Sequence, residues 1–177
     1  MCDFSKYGIP SDEWLQVEAT LPAAEEQSLS GLKRTANEGR EVVARKAMAE
    51  FSKQVFMYDQ TICARDGYKL EARSYRPMSA SPTEILPIYM HFHGGGFLFG
   101  TLSSEDAICS RLAVNTHVVV INVNYRHTPE YTYPAAWNDA EDAFVWVCEN
   151  IARLNGDPDK IVVGGISAGA WLAASLT

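Results

Sequence analysis

No stretch of this 177-residue chain approaches the roughly 20 consecutive apolar residues that a membrane-spanning helix needs. Its amino terminus, residues 1–6, has neither the basic start nor the apolar run of a secretory signal peptide. Together these two absences indicate a cytoplasmic protein without a membrane span.

Basic charge is also scarce. The chain has 15 lysines and arginines against 22 aspartates and glutamates, a net charge of −7, and its pI is near 5.1. No basic patch compensates for this balance, which argues against nucleic acid and anionic membranes as partners. The hydrophobic share of 47% supports one globular core.

The four cysteines are too few and too scattered for a disulfide framework or a structural metal site. Cys2, Cys63, Cys109 and Cys148 form no Cys-x-x-Cys pair and have no histidine close by in the sequence. We expect them to be reduced and mostly buried apolar side chains. We also expect no metal and no organic cofactor.

The first half of the chain changes character twice. Residues 1–39 are polar and interrupted by prolines and glycines, which indicates short helical pieces in a loosely packed tail. Apolar residues at helical spacing then predict an amphipathic helix over residues 40–53. Residues 55–64 and 68–76 alternate as strands do, and Arg65-Asp66-Gly67 between them predicts a hairpin at the edge of a sheet.

Strand and helix patterns alternate through the rest of the chain. Buried strands are predicted at Leu86–Phe92 and His117–Val123, and a third, from Lys160, leads into an alanine-rich helix. Between them, one helix is predicted from a Ser103–Asp106 capping pair and another from Pro134. This alternation predicts an α/β fold built on a mostly parallel, doubly wound sheet.

The third of these strands runs into the pentapeptide Gly-Ile-Ser-Ala-Gly at residues 165–169, here called the elbow. A strand-turn-helix of this kind is too tight for side chains at its flanks, which accounts for Gly165 and Gly169. It pushes Ser167 into a strained, exposed position at the carboxyl end of the strand. A serine so placed can meet a substrate on one side and a general base on the other, as nucleophilic acyl transfer requires.

A second glycine motif follows the strand at Leu86–Phe92. It is His93-Gly94-Gly95-Gly96, here called the glycine loop, and its successive glycines leave backbone N–H groups uncovered and able to point at one spot. Such donors stabilise a developing oxyanion. The elbow alone is a weak signal, but two motifs in this order and spacing indicate one fold.

With these two motifs, the chain resembles the amino-terminal part of an α/β-hydrolase of the hormone-sensitive-lipase-like esterase family. Residues 124–135, Asn-Tyr-Arg-His-Thr-Pro-Glu-Tyr-Thr-Tyr-Pro-Ala, are similar to the segment that these esterases carry after the corresponding strand. The resemblance implies a helical cap in residues 1–53 and a hydrolase core in residues 54–177. Ile166 and Ala170 depart from the family pattern, which often has Asp and Gly at these positions, so the substrate preference stays open.

The resemblance also implies a reaction and the residues that perform it. Ser167 is implied to be the nucleophile of a two-step acyl transfer from a small, rather apolar acyl ester. His93 is implied to be an anchor that orients the loop, because the general base of this fold follows the nucleophile. The other implied site residues are the oxyanion donors Gly94, Gly95 and Ala168 and the supporting glycines Gly96, Gly165 and Gly169.

Only ten residues follow Ser167. The acid and the histidine of the fold come after the nucleophile, so both are expected beyond residue 177, and this chain alone is expected to be inactive. We expect a piece of a longer protein, truncated after the elbow, and its partner to be the missing carboxyl-terminal half of the fold, in the same chain or in a separate one.

Two other functions stay open on this fold. A non-catalytic small-molecule receptor, resembling the plant gibberellin receptors, would keep both motifs but lack the late histidine. An amide or N-acetyl hydrolase would share the whole machinery. A dinucleotide-binding domain is disfavoured, because Ser167 stands where the second glycine of Gly-x-Gly-x-x-Gly must let the backbone approach a pyrophosphate.

Overall fold

A computed structural model of the chain describes residues 5–21 and 27–177. After a short 3-10 turn at Ser5–Tyr7, five helices and five strands follow in these residues. The helices are α1 (Asp12–Glu18), α2 (Leu29–Phe51), α3 (Leu102–Thr116), α4 (Ala135–Glu149) and α5 (Ala168–Ala174). The strands are β1 (Val55–Cys63), β2 (Lys69–Pro77), β3 (Leu86–Phe92), β4 (Val119–Asn124) and β5 (Gly156–Gly165). None of these described helices is long and apolar enough to cross a bilayer.

The strands form one sheet in the order β1-β2-β4-β3-β5. β3 pairs in parallel with β4 and with β5, while β2 runs antiparallel to β1 and to β4. Since only β2 opposes the direction of the others, the predicted α/β class and mostly parallel sheet are confirmed. The hairpin of β1 and β2 lies at one edge of the sheet, as predicted, and β5 lies at the other.

Apolar clusters lie on both faces of the sheet, which buries the central strands. Along β4, the side chains of Val119, Ile121 and Val123 pack in the cluster that includes α4 and α5. Val120 packs in a separate cluster with Cys109 of α3. Successive residues of a strand point to opposite faces, so this division explains why β4 is a near-continuous apolar run.

The predicted start of α3 is wrong. Thr101, not Ser103, caps the helix: the Thr101 side chain accepts a hydrogen bond from the Ser104 N–H, and Ser104 Oγ accepts one from the Thr101 N–H. Asp106, the expected capping partner, instead accepts hydrogen bonds from an arginine and a tyrosine of β2. The Asp106 carboxylate therefore bonds to a neighbouring strand, and not to the helix start that the local sequence pattern predicted.

α2 is much longer than the helix predicted over residues 40–53. It begins after Ser28, whose side chain accepts a hydrogen bond from the Gly31 N–H, and it continues through both Gly31 and Gly39. A glycine inside a helix costs about 1 kcal/mol relative to alanine, so other contacts must offset the two glycines. α2 packs along α3 and hydrogen-bonds to the loops beside it. A loosely packed tail is therefore the wrong description of residues 29–39.

The cysteines differ from the prediction in their burial. Cys63, Cys109 and Cys148 are free thiols, as expected, but only Cys109 is buried. Cys2 lies outside the described residues. The exposed pair shows that composition alone does not place a cysteine in the core.

Candidate active site

β5 ends in a sharp turn that carries Ser167. The residue has φ 52° and ψ −117°, a conformation that residues with a side chain rarely adopt, and it stands at the N-cap of α5. Its side chain caps no helix N–H and is exposed. Backbone strain of this kind costs on the order of 1–3 kcal/mol and concentrates at functional sites. The Ser167 hydroxyl is therefore held where solvent, or a substrate, can reach it.

Gly165 and Gly169 allow α5 to pack directly against the end of β3. A methyl group on Gly169 would lie 1.9 Å from the Phe92 carbonyl oxygen, and one on Gly165 would lie 2.5 Å from the same atom. Both distances are far inside van der Waals contact, and the oxygen belongs to backbone that cannot turn aside. Close packing of helix on strand thus requires the first and last glycines of the elbow.

The glycine loop lies against the elbow. Gly94 packs so closely on Ile166 that a methyl group on Gly94 would lie 2.9 Å from the Ile166 carbonyl oxygen. The Ile166 N–H donates to the Phe92 carbonyl oxygen at 3.2 Å. Gly95 and Gly96 have φ of 139° and 61°, where only glycine is unstrained. The structure therefore brings both sequence motifs together.

Several backbone N–H groups of these two motifs have no acceptor among the residues that the structure describes, those of Gly96 and Ser167 included. Among the described residues, no acceptor is paired with the N–H of Gly94, Gly95 or Ala168. Ala168 is the first residue of α5, so no carbonyl of the helix can reach its N–H. Most backbone N–H groups in folded proteins are paired, so a group of unpaired donors in adjoining segments indicates a place for an anionic or strongly polar acceptor.

His93 is fully buried beside the glycine loop. Its ring stacks on Tyr125 with 4.4 Å between centroids, and its Nδ1–H donates to the Gly94 carbonyl oxygen at 3.1 Å. The Tyr125 hydroxyl donates to the His93 carbonyl oxygen at 2.7 Å. Burial lowers the pKa of His93 to about 4, against a smaller opposing effect of the hydrogen bond to Gly94. Such a neutral, hydrogen-bonded ring can hold the loop in shape.

The other histidines lie in different settings. His91 Nε2 is 3.1 Å from a buried glutamate oxygen of α3, and its Nδ1 has no partner among the described residues. His117, predicted to begin β4, instead ends α3 in a left-handed conformation, and it is exposed. His127 packs edge-on against His93 with 5.1 Å between ring centroids, and burial lowers its pKa to about 4. None of the four histidines is hydrogen-bonded to the elbow serine.

The side chains that hold the glycine loop from outside were not predicted from the sequence. They lie on one face of α2 and bond to residues 94–101 or to the loop after β4. Their helical spacing is visible in the sequence. It was overlooked because Gly39 indicates the end of a helix, which assigned these residues to different segments. They are Lys33, bonded to Thr128; Asn37, to Gly100; Arg40, to Gly94; and Glu41, to Thr101.

Known proteins are similar to this chain in sequence and in structure. Residues 89–177 match the family model described as the alpha/beta hydrolase fold. An ethyl acetate hydrolase of Pseudomonas putida is 38% identical over 118 residues, which cover 67% of this chain and 37% of that protein. An arylesterase of Saccharolobus solfataricus is 40% identical over 110 residues, which cover 62% of this chain and 35% of that protein.

A solved structure agrees with these relatives. An esterase from Pyrobaculum calidifontis superposes with a TM-score of 0.73 at 35% identity, over 93% of this chain and 52% of that one. The chain thus spans about a third of the length of the curated relatives, at 37% and 35%, and about half of the solved one, at 52%. The chain belongs to the α/β-hydrolase fold family, and its resemblance to the hormone-sensitive-lipase-like esterases is confirmed.

Proposed function

We propose that this chain supplies the nucleophile and the oxyanion donors of a carboxylic ester hydrolase. The observation that carries the proposal is the close contact of Gly94 with Ile166, which sets the glycine loop beside Ser167. The unpaired N–H groups of Gly94, Gly95 and Ala168 support it, because they belong to the two segments that meet there.

In the proposed reaction, Ser167 Oγ attacks the ester carbonyl carbon and its proton passes to a general base. The carbonyl oxygen becomes negatively charged and accepts hydrogen bonds from the N–H groups of Gly94, Gly95 and Ala168. Losing one such donor typically costs about 10²–10³ in rate. Departure of the alcohol leaves an acyl-serine, which water then hydrolyses.

The general base and the acid that orients it are proposed to come from outside residues 1–177, in the order nucleophile, acid, histidine. Histidines within the chain are engaged in other ways. Burial lowers the pKa of His93 and that of His127 to about 4, so both rings are neutral at pH 7. His91 is paired with a buried glutamate.

We infer a small, rather apolar acyl ester as the substrate class. Phe97, at the end of the glycine loop, stacks on Trp137 with 4.9 Å between ring centroids, and Trp171 of α5 completes this aromatic group. The relatives named an ethyl acetate hydrolase and an arylesterase fit the same class. The scheme needs no metal and no organic cofactor. A cap formed by residues 1–53 and a cytoplasmic location stay predictions.

The test is hydrolysis of a short-chain aryl ester, such as p-nitrophenyl acetate, by the full-length protein with and without a chelator. We expect turnover that the chelator leaves unchanged and that Ser167→Ala lowers by at least about 10³-fold. The control is Ser103→Ala, which removes an exposed hydroxyl of α3 and should keep full activity. Turnover that persists in Ser167→Ala, or that the chelator abolishes, would refute the proposal.

The same protein separates the two alternatives. An amide or N-acetyl hydrolase would cleave amide analogues of the substrate as fast as the corresponding esters. A receptor would bind its small molecule with neither ester turnover nor labelling of Ser167 by a phosphonate probe. Ester turnover together with slow amide cleavage is the outcome that we expect.

A further inference from the structure

Arg40 reaches from α2 to the glycine loop. Its Nη1 donates to the Gly94 carbonyl oxygen at 3.0 Å, and its Nη2 donates to Glu105 Oε1 of α3 at 2.9 Å. The Glu105 side chain is only 5% exposed, whereas that of Arg40 is 33% exposed. One guanidinium therefore joins a buried carboxylate to the backbone of the glycine loop.

The Glu105 carboxylate is also held by other partners. His91 Nε2 lies 3.1 Å from Glu105 Oε2, and the Ser104 hydroxyl donates to Oε1 at 3.1 Å. Burial raises the pKa of Glu105, but the hydrogen bond from His91 and the charge of Arg40 act against it, so the pKa lies below its usual value. An ionised carboxylate fixed in this way holds the guanidinium in one orientation.

The position of the Gly94 carbonyl determines where the next N–H points. The carbonyl oxygen accepts hydrogen bonds from Arg40 and from His93 Nδ1. Because the peptide unit is planar and trans, the Gly95 N–H points to the opposite side from this oxygen. A cationic donor on the oxygen also polarises the peptide group, which makes the N–H a stronger donor. The two donors to the Gly94 carbonyl oxygen thus set both the direction of the Gly95 N–H and its strength as a donor.

The fit between Arg40 and the loop extends beyond this hydrogen bond. A methyl group on Gly95 would lie 2.9 Å from Arg40 Nη1 and 2.1 Å from the Phe99 carbonyl oxygen. The far end of the segment is held by the same helix, since the Gly100 N–H donates to Asn37 Oδ1 at 2.8 Å. One face of α2 therefore fixes the backbone on both sides of Gly95.

We propose that Arg40 is a positioning residue, which orients the Gly94–Gly95 peptide so that the Gly95 N–H meets the developing oxyanion. This inference rests on the proposed ester hydrolysis. In this proposal α2 acts on the reaction itself, whereas a cap would only cover the site.

Amide hydrogen exchange in the full-length protein tests the contact independently of turnover. Arg40→Met keeps much of the side-chain length but removes the donors. We expect faster exchange of the hydrogen-bonded amides of Leu98, Phe99 and Gly100 in this variant, and unchanged exchange in β3 and β4. Arg45→Met, at an exposed position of the same helix, is the matched control and should exchange as the wild type does. Wild-type exchange of the Leu98, Phe99 and Gly100 amides in Arg40→Met would overturn the proposal.

Kinetics then test the effect on the transition state. We expect Arg40→Met to lower kcat on the order of 10- to 100-fold and to change KM by less than about 2-fold, because the oxyanion forms only during the reaction. Affinity for a trifluoromethyl ketone, which forms an anionic adduct with a serine, should fall by a similar factor. Arg40→Lys should recover part of the loss, since it restores the charge but not the fork of donors.

The outcomes separate this inference from the function on which it rests. A loss confined to KM, or an equal loss in Arg45→Met, would exclude a positioning role for Arg40 while leaving the esterase intact. A wild-type protein without turnover would end the proposed function, and the exchange data would still decide whether Arg40 holds the loop.

Discussion

At the scale of single residues, His93 contributes the shape and hydrogen bond of its ring, and not a charge. The ring is buried, and its pKa is lowered by burial from the ordinary 6.5 to about 4. On acidification, the unfolded chain therefore takes up a proton near pH 6.5, whereas the folded chain stays neutral at this position until about pH 4. Between these values the unfolded state binds more protons, so the folded state loses stability as the pH falls.

We expect the free energy of unfolding to decrease between pH 6.5 and about pH 4.5. His93→Asn removes the titration but keeps an N–H that can reach Gly94, so the wild type should lose about 2 kcal/mol more than the variant over this range. Denaturant titrations at several pH values measure the difference. His127, whose pKa burial also lowers, is present in both proteins. If the free energy of unfolding falls equally with pH in the wild type and in His93→Asn, His93 is not the cause of the pH dependence.

At the scale of elements, Arg126 joins three parts of the chain. Its N–H and guanidinium donate to both carboxylate oxygens of Asp139 in α4, and its Nη1 donates to Asp66 in the turn between β1 and β2. The Asp139 side chain is fully buried, whereas that of Asp66 is 49% exposed. This ion pair fixes the start of the loop that carries His127 toward the glycine loop.

Asp139→Asn should destabilise the fold by about 3–5 kcal/mol, because it leaves the largely buried guanidinium with only the half-exposed carboxylate of Asp66. The matched control is Glu141→Gln on the same helix, which breaks an exposed pair with Arg65 and should cost at most about 1 kcal/mol. Equilibrium unfolding in denaturant gives both values. Similar losses in the two variants would mean that the burial of Asp139 has no energetic consequence.

The elements that the sequence predicts well are those that residues close together in the chain determine. The β1–β2 hairpin follows from alternation around Arg65-Asp66-Gly67, and the elbow from glycines that the backbone itself demands. α2 and the cap of α3 were misjudged because their partners are distant: the helix tolerates Gly39 because α2 as a whole packs on α3, and Asp106 bonds to β2. Arg40 could not be predicted for the same reason, since its partners belong to the glycine loop and to α3.

At the scale of the whole molecule, the described residues contain a candidate nucleophile and no base bonded to it. Residues 1–177 expressed alone should therefore hydrolyse p-nitrophenyl acetate at least about 10³-fold more slowly than the full-length protein. Ser167→Ala in the same short protein is the blank, and the two should be indistinguishable. Turnover by residues 1–177 above that blank would require a base among the four histidines already present.

The place of β3 in the sheet has a consequence for synthesis on the ribosome. β3 lies between β4 and β5, which both follow it in the chain, so the glycine loop is made well before the strand that leads to Ser167. A nascent chain is extended from its amino terminus, and until β5 has emerged, β3 presents one unpaired edge. Such edges pair readily with other chains. During the interval between the two motifs, the edge of β3 is thus open to a molecular chaperone.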